Sequence, residues 1–346
     1  MPSSFELEMA GQPAALAGLL SAYAAADGPL RRLSALPLPA AKRAFIFIGM
    51  GSSLFASRPA ICRLLKAGVE AREADAGEYL HYLAELPRPG LVPVIVSQSG
   101  ESPEARKLAE AMGRELPFIA VTNDEASAIA RSAAVVLPML GGGEKSTTNR
   151  TYTNSIAVAL LVAAWGAGRD PREEIDAMRN APAAMEDLLR DWRPKAEALA
   201  DFIGDSHHLD LLGRGPAMAT VGQGALVLRE LGHVRTAAMT AGNFRHGLIP
   251  SMRRGGTVLC FAPASQTFDL TLGLARDVVA EGGKAVVFTD MDTPEETGLM
   301  IVRHHRLGET CAPLPGIIPV QQLGVIYAER RGMTPGEGIA KITPKE

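Results

Sequence analysis

Val94-Ile95-Val96-Ser97-Gln98-Ser99-Gly100-Glu101-Ser102-Pro103-Glu104 is a short β-branched run that stops at a hydroxyl-rich turn and resumes as a helix from Ala105. Strand, polar turn and helix start aim free backbone N–H groups and the positive end of a helix dipole at one point. Three serines and a glutamine surround that point. A phosphate can be held there with no metal and no P-loop lysine. The plainer use of the same residues is helix capping by Ser99 and Ser102.

Outward from this stretch the chain alternates strand and helix, the pattern of a parallel sheet covered on both faces. Ala44–Ile48 is a strand ending at Gly49-Met50-Gly51-Ser52-Ser53, followed by a helix from Leu54 to Ala67. Strands are expected at Phe118–Thr122 and Ala134–Leu137, then a glycine loop at Gly141-Gly142-Gly143 and a long helix from about Arg150 to Ala167. A charged helical linker spans roughly Pro171 to Asp201. The pattern then begins again. His208–Leu212 is a strand ending at Gly213-Arg214-Gly215, with a helix from Ala219 to Leu231 and strands at Thr257–Phe261 and Lys284–Asp290 around a helix at Leu270–Glu281. Both halves read strand–glycine turn–helix, strand–serine turn–helix, strand–Thr–Asn/Asp, which marks an internal duplication. Only the first half keeps the full serine-rich turn, so one phosphate site is expected. The predicted division is residues 1–190, with the N-terminal helix and the phosphate site, and 200–346, with the C-terminal tail.

The 346 residues suffice for two cored domains, and 47% hydrophobic with 21% charged residues is a globular composition. A net charge of −3 offers no electrostatic basis for binding nucleic acid or an anionic membrane. The N-terminus lacks the pattern of a signal peptide. The apolar run near Ile156–Trp165 is too short to span a bilayer and reads as a buried helix. Cys62, Cys260 and Cys311 have no metal-ligand spacing, and the expectation is a reducing, cytoplasmic setting. His207-His208 and His304-His305 have no carboxylate or cysteine at ligand spacing. Gly141-Gly142-Gly143 lacks the order of a dinucleotide fingerprint and reads as a mobile loop. No metal or organic cofactor is expected.

These motifs resemble the sugar isomerase (SIS) family of phosphosugar-binding proteins, and within it the isomerase half of glucosamine-6-phosphate synthase. The resemblance covers nearly the whole chain. It rests on Glu8–Pro13, Gly49–Ser53, Ser97–Ser102, Thr148–Thr153, Gly213–Gly215, Gly224–Glu230, Ala241–Gly247 and Gly338–Thr343. It implies an α/β fold of two tandem SIS repeats, each a parallel β-sheet flanked by helices in a flavodoxin-like three-layer sandwich. It also implies a phosphosugar substrate held by Ser52, Ser53, Ser97, Gln98, Ser99, Ser102 and Thr148.

For the chemistry, the resemblance implies that Glu230 moves the proton between C1 and C2, and that His246 opens the sugar ring from the neighbouring subunit of a homodimer. Lys341, in the tail, would form a Schiff base with the keto sugar. Read locally, Glu230 is a solvated glutamate at a helix end and His246 a loop histidine. The chain departs from the synthase pattern at Val227, where a lysine is expected, and at Gln223, where a glutamate is expected. The first cysteine is Cys62, so no N-terminal nucleophile of a glutaminase is seen. Together these point to ammonia release from an amino-sugar phosphate, glucosamine 6-phosphate to fructose 6-phosphate. Deglycation of a fructosyl-amine 6-phosphate, plain phosphosugar isomerisation and a non-catalytic phosphosugar sensor are the alternatives.

Overall fold

The computed structural model describes residues 1–36, 43–83, 90–145, 147–204 and 208–337. The expected apolar runs become strands of two five-stranded sheets, all of them inner except Ala134–Leu137, which falls at an edge. In the first, β1 (Ala44–Gly49), β2 (Glu70–Asp75), β3 (Leu91–Val96), β4 (Ile119–Thr122) and β5 (Val135–Pro138) stand in the order β2-β1-β3-β4-β5. In the second, β6 (His208–Gly213), β7 (Arg235–Thr240), β8 (Thr257–Phe261), β9 (Lys284–Thr289) and β10 (Leu299–Arg303) stand in the order β10-β9-β8-β6-β7. Every pairing is parallel. Counted within its own half, each sheet runs second, first, third, fourth, fifth. The duplication is therefore one of topology, a flavodoxin-like α/β order repeated in tandem.

The strands that leave no clear signal in the sequence lie at sheet edges. β2, Glu-Ala-Arg-Glu-Ala-Asp, and β7, Arg-Thr-Ala-Ala-Met-Thr, occupy the same outer position in the two sheets and are only partly buried. With one neighbour and one wet face, an edge strand needs no continuous apolar run. Inner strands do: all of Leu91–Val96 and all of Thr257–Phe261 are buried.

The helix expected from Leu54 to Ala67 is two, Ser52–Phe55 and Arg58–Lys66. Pro59 has no N–H to continue the first and sits in the opening turn of the second, where none is needed. The linker likewise divides into Pro171–Met178, Ala181–Leu189 and Trp192–Ile203, the last break falling at Asp191 with φ +47°. Helix Arg150–Gly166 is buried almost throughout, as its apolar run predicts. No helix among the described residues is long and apolar enough to cross a membrane.

The chain groups into two compact units. One, residues 14–144 and 148–179, carries the first sheet; the other, residues 1–13, 145–147 and 180–337 of the described chain, carries the second. The N-terminal helix Ser4–Ala10 thus joins the second sheet, where the sequence reading had grouped it with the first. Phe5 and Met9 pack against Val227, Leu231 and Val325, and the buried Gln12 amide donates to Gln321 Oε1 at 2.7 Å.

Candidate functional site

In an open parallel sheet, ligands bind outside the carboxyl ends of the strands where the strand order reverses. In the first sheet that point lies between β1 and β3, the strands that lead into Gly49–Ser53 and Ser97–Ser102. A cavity of about 130 Å³ opens there, walled by Gly49, Met50, Ser53, Ser97, Ser102 and Ala105, among others. Glycines bend the two turns into place. Gly51 has φ +51°, and a Cβ on Gly49 would meet that of Ser53 at 3.0 Å. Gly100 has φ +64°, and a Cβ there would stand 2.2 Å from Ser127 Oγ.

The serines divide by what their hydroxyls do. Ser97 is buried and its Oγ accepts from the Gly100 N–H at 3.2 Å; Ser99 is exposed and its Oγ accepts from the Glu101 N–H at 3.2 Å. Ser102 stands at the N-cap of helix Pro103–Glu115, yet its side chain makes no cap hydrogen bond. Ser102 lines the cavity together with Ser53 and Ser97. Capping therefore does not account for Ser102, and the first turn of the helix keeps N–H groups for an anion. Ser52, Gln98 and Ser99 stand on the same two turns, outside the cavity wall. Thr148 is half-buried on a different loop, just before the start of helix Arg150–Gly166.

The matching crevice of the second sheet, between β6 and β8, is closed. Phe261, Pro263, Phe288 and Pro313 leave about 10 Å³, and the two phenylalanine rings stack at 4.8 Å. Thr220 and His304 share this lining with the phenylalanines and prolines.

Glu230 lies in the last turn of helix Met218–Gly232, half-buried. Burial pushes its carboxyl above the ordinary range, and the Thr147 side chain beside it draws it partly back. No sequence signal links Thr147 to Glu230. One and two turns earlier on the same face, Val227 and Gln223 are fully buried, Val227 among Phe5, Met9, Leu231 and Val325. The position where the resemblance calls for a lysine is a dry aliphatic contact.

His246 is exposed at the end of the short helix Ala241–Arg245, directly after β7. The helix carrying Glu230 ends at the other end of that strand, where Arg229 Nε donates to Thr236 Oγ1 at 2.8 Å. The fold of one chain therefore keeps Glu230 and His246 apart. Lys341 lies outside the described residues. Among the described residues no cluster of three metal-ligating side chains exists, and no cysteine forms a disulfide. The Gly141–Gly143 loop, expected to be mobile, is held by hydrogen bonds to Asn123 and Arg150.

A family model for the SIS domain matches residues 39–163. That segment is a SIS domain. The matched SIS segment contains both serine turns and Thr148; Glu230, His246 and Lys341 lie beyond it. Glutamine--fructose-6-phosphate aminotransferase [isomerizing] of Rhizobium meliloti (strain 1021) is 29% identical over 264 residues, 72% of this chain and 43% of that protein. The chain thus spans less than half the length of the curated relatives it matches. The C-terminal domain of glucosamine-fructose-6-phosphate aminotransferase from Francisella tularensis superposes with a TM-score of 0.85 at 20% identity, covering 96% of this chain and 97% of that one. Glucosamine-6-phosphate deaminase from Thermotoga maritima superposes with a TM-score of 0.73 at 17% identity, covering 96% and 97%. At these identities the two structures share the tandem SIS fold with this chain.

Proposed function

We propose that this SIS protein binds an amino-sugar phosphate and releases its nitrogen, converting glucosamine 6-phosphate and water to fructose 6-phosphate and ammonia. The observation that carries the reading is the first-sheet cavity, where Ser53, Ser97 and Ser102 converge on a helix start whose cap hydroxyl is unspent. A phosphomonoester carries nearly two charges and is met there by hydroxyl and backbone donors. Ser52, Gln98 and Ser99 flank the same turns, and Thr148 contacts the sugar.

Ring opening falls to His246 of a second copy in a homodimer, since an imidazole can both give and take a proton near neutrality. Glu230 removes the C2 proton of the open aldose and returns it to C1. The enaminolate between these steps, once protonated at C1, passes an amine proton to O1, leaving an imine at C2 that water hydrolyses to the ketone and ammonia. A half-buried carboxyl with a raised pKa suits such a shuttle, because it takes and returns the proton readily. Lys341 is the proposed contact to the open chain. Val227 supports deamination over glutamine-driven synthesis, since no ammonium group stands one turn before Glu230. The proposed setting is cytoplasmic.

The test is incubation of purified protein with millimolar glucosamine 6-phosphate, with fructose 6-phosphate and ammonia measured separately. Equal amounts of both are expected, and absence of ammonia sinks the reading. Interconversion of sugar phosphates without ammonia would make the protein an isomerase. Release of a free amine from a fructosyl-amine 6-phosphate would make it a deglycase. Binding without turnover would make it a sensor.

A further inference from the structure

Asn123 follows the last residue of β4, in the strand–Thr–Asn/Asp pattern common to both halves. Its backbone N–H donates to the Gln98 carbonyl at 3.0 Å, within the serine turn, and Thr122 Oγ1 donates to the same oxygen at 3.3 Å. Its side chain turns to another loop. Asn123 Oδ1 accepts from the Gly141 N–H at 2.8 Å, and Nδ2 donates to the Gly142 carbonyl at 2.8 Å. That loop continues into Glu144, whose Oε1 accepts from the N–H groups of Asn149 at 3.1 Å and Thr151 at 3.0 Å, while Oε2 accepts from the Thr151 hydroxyl. Thr148 immediately precedes the first of these anchors. Gly141 also runs so close to the helix that a Cβ would meet Thr151 Cγ2 at 2.5 Å. Hydrogen bonds, joined by the short stretch of chain from Gly142 to Glu144, thus run from the serine turn through Asn123 to the segment carrying Thr148.

The second repeat uses the equivalent place differently. Met291 N–H donates to Thr289 Oγ1 at 3.1 Å, as Asp124 N–H does to Thr122 Oγ1 at 3.4 Å. There the next residue is Asp290, whose Oδ1 accepts from Ala264 N–H at 2.5 Å, on the loop after β8. A carboxylate can only accept, whereas an amide accepts and donates at once. The first repeat has the residue that can clamp an N–H and a carbonyl of one loop while its backbone holds another.

We infer that Asn123 is a positioning residue that sets the sugar-side segment at Thr148 in register with the phosphate cradle, so that the cradle recognises a sugar phosphate and not merely phosphate. The inference rests on the phosphosugar reading of the cradle and extends it. It assigns specificity for the sugar to a residue that touches neither phosphate nor the reacting carbons.

Calorimetric titration with inorganic phosphate and with fructose 6-phosphate tests it. Asn123→Ala keeps the backbone bond to Gln98, so inorganic phosphate affinity should stay within about twofold, while fructose 6-phosphate affinity falls about tenfold, the worth of two modest hydrogen bonds. Asn123→Asp keeps the acceptor for Gly141 N–H and should fall between. Thr151→Val, which removes a Glu144 contact further along, should show the same selective loss and guards against an Asn123→Ala variant that fails to fold. Equal losses for both probes, or no loss for either, would overturn the inference, as would a parent protein that binds phosphate and not fructose 6-phosphate. Turnover enters none of these readings, so a parent that binds both probes and releases no ammonia refutes the deaminase reaction alone.

Discussion

Glu230 and His246 stand at opposite ends of β7, Glu230 before its first residue and His246 after its last. A strand of six residues spans about 20 Å, too far for both side chains of one chain to reach the same sugar carbons. If both act on one substrate, His246 must come from another copy. Mixing Glu230→Gln and His246→Ala proteins, each inactive alone, should then restore about one quarter of the parental rate, because half the dimers are mixed and each has one intact site. No recovery after subunit exchange would place the two residues in separate roles.

The raised pKa of Glu230 bears on both stability and rate. The folded protein holds this proton more tightly than the unfolded chain, so ionising the carboxyl costs stability. The cost is absent below the ordinary carboxylate range and develops as pH rises through that range to the raised folded value. Glu230→Gln should therefore be more stable than the parent at pH 7 and equal to it near pH 4 in urea titrations. The acid limb of kcat/KM should lie above the ordinary carboxylate range. Thr147→Val, which removes the hydroxyl that holds the pKa down, should move that limb to still higher pH; a limb that stays in place would separate Glu230 from the proton transfer.

The cradle separates binding from folding. Ser102→Ala removes a hydroxyl that caps nothing, so stability should change by less than about 0.5 kcal/mol. Sugar phosphate affinity should fall roughly tenfold for the loss of one hydrogen bond to a charged group. Gly100→Ala should lower stability as well as affinity. A methyl driven into Ser127 at φ +64° should cost about 1–3 kcal/mol, and a second change, Ser127→Gly, should recover only the part due to the clash. Thermal unfolding and phosphate titration on the same samples would show whether the two effects divide this way.

Val227→Lys would place an ammonium group among Phe5, Met9, Leu231 and Val325. The expected result is a loss of about 3 kcal/mol or more, and no gain of synthase-like chemistry. A well-folded Val227→Lys protein would mean that this cluster opens readily.

The inner strands were legible because their geometry demands a particular composition. A parallel strand buried on both faces must be a continuous apolar run, and Val94–Val96 and Val286–Phe288 have no other use. Edge strands carry no such demand, which is why Glu70–Asp75 reads as a charged connection. The serine turn was legible because its donors are contiguous. Which hydroxyls face the cavity was not, since that depends on the positive φ of Gly51 and Gly100 and on Ser127 behind the turn.

From the order of its residues alone, this chain determines two α/β repeats and a hydroxyl-lined turn at the start of a helix, because both follow from local spacing and from the burial that parallel strands require. Tertiary structure decided the rest. It closed the second crevice with phenylalanine and proline, carried the N-terminal helix to the second sheet, set Thr147 against Glu230 and set Glu230 away from His246. These outcomes depend on contacts between segments far apart in the chain, and no local pattern of side chains encodes which distant partner a buried group will meet.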